Sequence, residues 1–207
     1  MDNSVFWGQK DTSINFCENP YEKSEYIAEY YNTISAIGYI FVGIFFSFTK
    51  IKNIGLTLIF LGIGTAILHG TQRFYGQILD EFFMLVLSFF IIEQLRLLEN
   101  KKILFLILYS ICGLYLASYK FFSIFFILFS TCQIYTCYLA KKFLKNNKDV
   151  SSMKKLLINS YIITLLISIL FWATDQITCN ISFIQLHALW HVGTAISIFL
   201  GLLFLVI

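Results

Sequence analysis

Long apolar runs broken by short polar steps dominate this chain. A helix needs roughly 20 apolar residues to cross the hydrocarbon core of a bilayer. Seven stretches approach that length: 30–49, 54–72, 78–97, 103–118, 121–140, 156–174 and 187–207. The fourth is short, and only the step at Ser118-Tyr119-Lys120 parts it from the fifth, so the count falls to six if those two are one. The pattern predicts an all-α, multi-pass membrane protein. Residues 1–29 form an N-terminal segment outside the membrane, and 30–207 form a bundle of seven transmembrane helices. Met1 to Ser24 mixes charges with turn formers and has no apolar core, so it does not read as a signal peptide. With Pro20 as the single proline and no low-complexity stretch, the rest reads as one compact bundle without a separate soluble domain.

Composition agrees. At 58% hydrophobic and only 13% charged, the chain lies far from the balance of a soluble globular domain. The basic residues then orient the bundle. Lys50, Lys52, Arg96, Lys101, Lys102, Lys141, Lys142, Lys145, Lys148, Lys154 and Lys155 fall on one side of the predicted membrane, while Lys10, Lys23, Arg73 and Lys120 fall on the other. By the positive-inside rule, the N-terminus is non-cytoplasmic and the C-terminus cytoplasmic. This bias accounts for the net charge of +3 and gives no reason to invoke nucleic acid. The expected location is an endoplasmic reticulum or Golgi membrane in a eukaryote, or the inner membrane in a bacterium.

Ionisable groups inside a membrane are costly, which makes them functional candidates by default. The chain has three histidines. His69 closes the second run, and His187 and His191 head the last. Asp80 stands near the start of the third run. In the expected topology all four reach the same, non-cytoplasmic face. His187 and His191 are i, i+4 and share a helix face, as two imidazoles binding one ion must. Thr65 is likewise one turn from His69 on the second run. Three neutral imidazoles with an open position are the ligand set of a catalytic zinc. Alternatives stay open on spacing alone: histidines that bond neighbouring carbonyls, a bis-histidine haem, an Asp80 that caps its helix, and a Thr65 that packs and bonds back to its own helix.

The segment before the first run carries Asn15, Phe16, Cys17, Glu18, Asn19, Glu22 and Glu29. Its acids and amides could offer oxygen ligands to a hard cation such as calcium, or form a plain solvated segment. Cys17 and Cys179 both fall on the oxidising side, where a disulfide would tie this segment down over the histidines. Cys112, Cys132 and Cys137 lie within spans and read as small apolar packers.

Four patches give the chain a family resemblance: Cys17-Glu18 followed by Tyr26-Ile27-Ala28-Glu29-Tyr30-Tyr31-Asn32-Thr33; Thr65-x-x-x-His69; Gln77-Ile78-Leu79-Asp80-Glu81; and His187-Ala188-Leu189-Trp190-His191. In order and spacing the chain resembles the alkaline ceramidases, part of a wider group of seven-span intramembrane hydrolases that includes the adiponectin-type receptors. The resemblance implies zinc held by His69, His187 and His191, with Asp80 beside the attacking water. Thr65 stands where the family has serine, placed to support the developing oxyanion. It also implies a calcium site drawing on Asn15, the Phe16 carbonyl, Glu18 and Glu29. There Asn15 replaces an aspartate and Pro20 an asparagine, with Asn19 next to the latter. The implied activity is zinc-dependent hydrolysis of the ceramide amide to a sphingoid base and a free fatty acid. A hydrolase of another acyl lipid and a receptor or scaffold with a structural zinc are the alternatives.

Overall fold

The computed structural model describes residues 6–96, 101–118, 120–147, 149–179 and 184–207. Among the described residues all regular structure is helical: α1 (Tyr30–Ser35), α2 (Ile37–Ser47), α3 (Lys52–Thr71), α4 (Phe74–Arg96), α5 (Lys101–Ala117), α6 (Phe122–Asn146), α7 (Ser152–Ile177) and α8 (Leu186–Val206). Every predicted apolar stretch falls on a helix. The first is shared by α1 and α2, which meet at Ala36, itself in helical conformation. Five of these stretches are long and apolar enough to cross a membrane: Tyr30–Ser47, α3, α6, α7 and α8. Of the other two helices, α5 has 17 residues, and α4 carries Asp80, Glu81 and Glu93 along its length.

The helices overrun the apolar stretches at several ends. α6 continues through Lys141, Lys142 and Lys145, all exposed, and α7 starts at Ser152 and so includes Lys154 and Lys155. α4 differs in a way that matters to the site. The apolar pattern starts it at Ile78 and puts Asp80 at its mouth, whereas the helix begins at Phe74. The reason lies outside the helix: Asp11, far back in the N-terminal segment, accepts the Phe74 N–H with Oδ1 (2.5 Å) and pairs with Arg73 through Oδ2 (2.9 Å). Asp80 therefore sits well inside α4, so it is not a helix cap.

α3 is packed against α1, α2 and α4, while α8 closes the bundle against α1, α2 and α7. The largest apolar cluster joins Phe46 of α2, Ile54, Leu58 and Leu61 of α3, Leu87 of α4, and Ala195 and Leu202 of α8. Lipid tails are as apolar as leucine, so helices in a bilayer associate through close packing rather than by escaping water. Two glycines make the α3–α4 approach close. A Cβ at Gly64 would meet the Asp80 backbone nitrogen at 2.9 Å, and one at Gly76 would meet Leu68 Cα at 2.6 Å. Side chains larger than hydrogen would force these helices apart. Thr65 and Asp80 flank that contact.

Candidate metal centre

His69 lies in the last turn of α3, and His187 and His191 in the first two turns of α8; all three are buried. Their ring centroids form a nearly equilateral triangle with sides of 5.0, 4.9 and 4.7 Å. One ligand atom from each lies within 4.8 Å of those of the other two. Zn–N bonds are about 2.0–2.1 Å long, so the three nitrogens draw closer together when they share one ion.

The outer hydrogen bonds fix how two of these rings can act. Glu29 Oε2 lies 2.5 Å from His69 Nδ1. A carboxylate oxygen is an acceptor, so Nδ1 carries the proton and the Nε2 lone pair is free. His191 Nδ1 lies 2.8 Å from Ser35 Oγ and 3.2 Å from the Asn32 carbonyl oxygen. The carbonyl can only accept, and the Ser35 hydroxyl already donates to that same carbonyl (2.8 Å), so the single Nδ1 proton is shared between these two acceptors. His191 therefore also keeps Nε2 for a ligand. His187 Nδ1 is buried and has no hydrogen-bond partner among the described residues. Two rings whose Nδ1 protons are held by outer acceptors, leaving Nε2 free, and a third with a buried unpaired nitrogen suit a metal site.

Thr65 Oγ1 is 2.5 Å from Asp80 Oδ1 and 2.9 Å from the Leu61 carbonyl oxygen. A hydroxyl has one proton to give, and a bond to an ionised carboxylate is roughly twice as strong as a neutral one. With Asp80 ionised, Thr65 donates to it. Thr65 is also one turn from His69 on α3, so the pair sits beside the histidine triangle. The neighbouring acid, Glu81, is held apart from this pair by Gln77 Nε2 (2.7 Å) and Tyr115 Oη (2.8 Å), which ties α4 to α5.

The N-terminal segment covers the site. The Phe16 ring rests on His69 and His187, with centroids 4.6 and 4.4 Å away. Next to it Cys17 is disulfide-bonded to Cys179, so the segment is pinned to the chain just after α7. Its backbone also serves α3: Ala28 and Glu29 donate their N–H groups to the Gly70 and His69 carbonyls, which the helix end leaves unpaired. Glu18 takes the Tyr31 and Asn32 N–H groups (2.7 and 2.9 Å), capping α1, which has no cap of its own. Burial pushes the Glu18 carboxyl upward, and these two N–H bonds pull it back.

Glu29, wholly buried, accepts from His69, from Gln72 Nε2 (2.7 Å) and from Asn32 Nδ2 (3.2 Å). Asn15 Oδ1 accepts from the Lys10 ammonium at 2.7 Å. Asn19 is exposed and donates Nδ2 to Glu22. Sequence spacing did not single out Glu29 as the partner of His69, Ser35 as a partner of His191, or the Phe16 ring as a cover. Each depends on contacts between segments tens of residues apart, and only Phe16 and Glu29 stood in a patch already of interest.

Comparisons with known proteins point to one family. The family model for Ceramidase matches residues 8–207. A putative alkaline ceramidase, dcd3B, of Dictyostelium discoideum is 25% identical, over 95% of this chain and 87% of its own length. An alkaline ceramidase of Arabidopsis thaliana is 27% identical over 91% and 80%. The alkaline ceramidase YPC1 of Saccharomyces cerevisiae is 32% identical over 36% of this chain and 26% of its own. The chain belongs to the ceramidase family.

Proposed function

We propose that this protein is an intramembrane zinc-dependent amidase that cleaves ceramide into a sphingoid base and a free fatty acid. It sits as seven spans with the N-terminus on the non-cytoplasmic side. The observation that carries this reading is the buried histidine triangle, in which His69 and His191 turn Nδ1 outward onto Glu29, Ser35 and Asn32 and keep Nε2 for an ion. His69, His187 and His191 hold the zinc. Placed among helices, the site suits a substrate whose chains stay in the bilayer.

Zinc bound by three histidines lowers the pKa of its water to about 7 and polarises a carbonyl oxygen. The chain's own groups handle the protons. Asp80 takes the proton of the water that attacks the amide carbon, as a general base. A protonated Asp80 is itself a donor, so its bond with Thr65 reverses and the Thr65 proton turns to the negative charge on the substrate oxygen. The C–N bond then breaks as Asp80 returns its proton to the leaving nitrogen. A free amine and a carboxylic acid result. Phe16 and the disulfide hold the cover closed, keeping bulk water off the reacting groups.

The test pairs metal analysis with fatty-acid release from labelled ceramide, for wild type and His187→Ala. Wild type is expected to hold about one zinc per chain and to turn over, and the variant to lose both metal and activity. A wild-type protein free of zinc yet active, or zinc-loaded yet inert toward ceramide, overturns the reading.

A further inference from the structure

The N-terminal segment poses a question of its own, because the resemblance that points to zinc also points to calcium there. Calcium takes six to eight oxygen ligands. Of the oxygens nominated for it, the side-chain oxygens of Glu18, Glu29 and Asn15 already accept from donors within the chain. Both Glu18 oxygens receive backbone N–H groups of α1. Glu29 receives three N–H donors, from His69, Gln72 and Asn32. Asn15 Oδ1 receives the Lys10 ammonium, and Pro20 has no side-chain donor at all. Asn19 turns its amide nitrogen to Glu22 at the surface. Among the described residues the buried side-chain oxygens without a partner are Tyr21 Oη, Asn32 Oδ1 and Asp175 Oδ2, and three are well short of a shell of six to eight.

The charge balance points the same way. A buried carboxylate needs compensation, and a divalent ion is one way to supply it. Here Lys10 is the cation bound to one of the nominated oxygens; burial pulls its ammonium below the usual lysine range, and the negative charge of Glu29 works against that. A second cation arriving at Asn15 would meet an ammonium 2.7 Å from the oxygen it needs. Binding calcium would therefore break the α1 cap, release His69 from its carboxylate and displace Lys10.

We propose that this segment folds over the histidine site without calcium, its oxygens being spent on the α1 cap and on His69, and the Lys10 ammonium standing where a divalent cation would otherwise be needed. Glu29 thereby couples the segment directly to the metal centre as a positioning residue.

The experiment is thermal unfolding of the full chain in lipid nanodiscs, in calcium-stripped buffer and again with millimolar CaCl2, beside a calorimetric CaCl2 titration. Wild type is expected to melt at the same temperature in both buffers and to show no saturable calcium heat. Lys10→Met is expected to melt at a lower temperature and Lys10→Arg to recover the wild-type value. A calcium-dependent rise in the wild-type melting temperature, or saturable calcium binding, overturns the proposal. A Lys10→Met protein that melts like wild type removes Lys10 from it.

Discussion

At the histidine end of the bundle, α1, α3, α4 and α8 meet through polar bonds: Glu29 to His69, Ser35 and Asn32 to His191, Thr65 to Asp80, with a disulfide closing the segment above. At the lysine-rich end α2, α3, α4 and α8 meet through Phe46, Ile54, Leu58, Leu87 and Leu202, packed in one apolar cluster. The difference separates chemistry from folding. In a bilayer, polar contacts between helices are directional and fix individual atoms, whereas apolar contacts gain mostly from close fit. Substitutions of the side chains that touch the site at the histidine end should therefore damage catalysis while sparing the fold, and substitutions at the other end should do the reverse.

The strongest way to break this contrast is Asp80→Asn. The variant keeps the Thr65 contact and the shape of the α3–α4 approach but loses the proton acceptor. Positioned acid–base groups contribute about 10²–10⁴ in rate, so ceramide hydrolysis is expected to fall by about that factor. Zinc content and melting temperature should change little. An active Asp80→Asn enzyme would move the general base elsewhere. The mirror experiment is Leu58→Ala, at a fully buried position of the lysine-rich cluster. Truncating a buried leucine costs about 2–5 kcal/mol. The expected outcome is a lower unfolding midpoint with an unchanged zinc content per folded chain. A loss of zinc in that variant would mean that the two ends are coupled more tightly than their contacts imply.

How much of this was legible beforehand differs between the same two ends. Apolar runs report helices directly, because a bilayer demands length and little else. That is why all seven stretches fall on helices. The i, i+4 rule reports neighbours on one helix, so His187 with His191 and Thr65 with His69 could be read off. Contacts between helices leave no such local trace. Glu29 and His69 are 40 positions apart, and Ser35 and His191 are 156 apart. The start of α4 was misjudged for the same reason: Asp11, 63 residues earlier, supplies its cap. Phe16 was singled out for its backbone carbonyl, while its ring turned out to cover two histidines. The Cys17–Cys179 pairing was legible because topology put just two cysteines on one face.

The finest distinction lies within the histidine end, between two buried carboxylates that both belong to the N-terminal segment. Glu29 touches the metal site through His69 Nδ1, whereas Glu18 touches only the backbone of α1. Glu29→Gln leaves an oxygen for the histidine N–H but removes the negative charge that raises the basicity of the ring. It also turns an amide N–H₂ toward Gln72, which is a donor already. Losing such an outer partner costs about 10–100-fold in metal affinity, so zinc is expected to be surrendered to a competing chelator at correspondingly lower chelator concentration. Glu18→Gln keeps one acceptor for the α1 cap and does not touch an imidazole, so its zinc affinity should match wild type while its melting temperature falls modestly, by the loss of a helix-capping bond. Equal zinc affinities in the two variants would show that the carboxylate beside His69 does not tune the metal site.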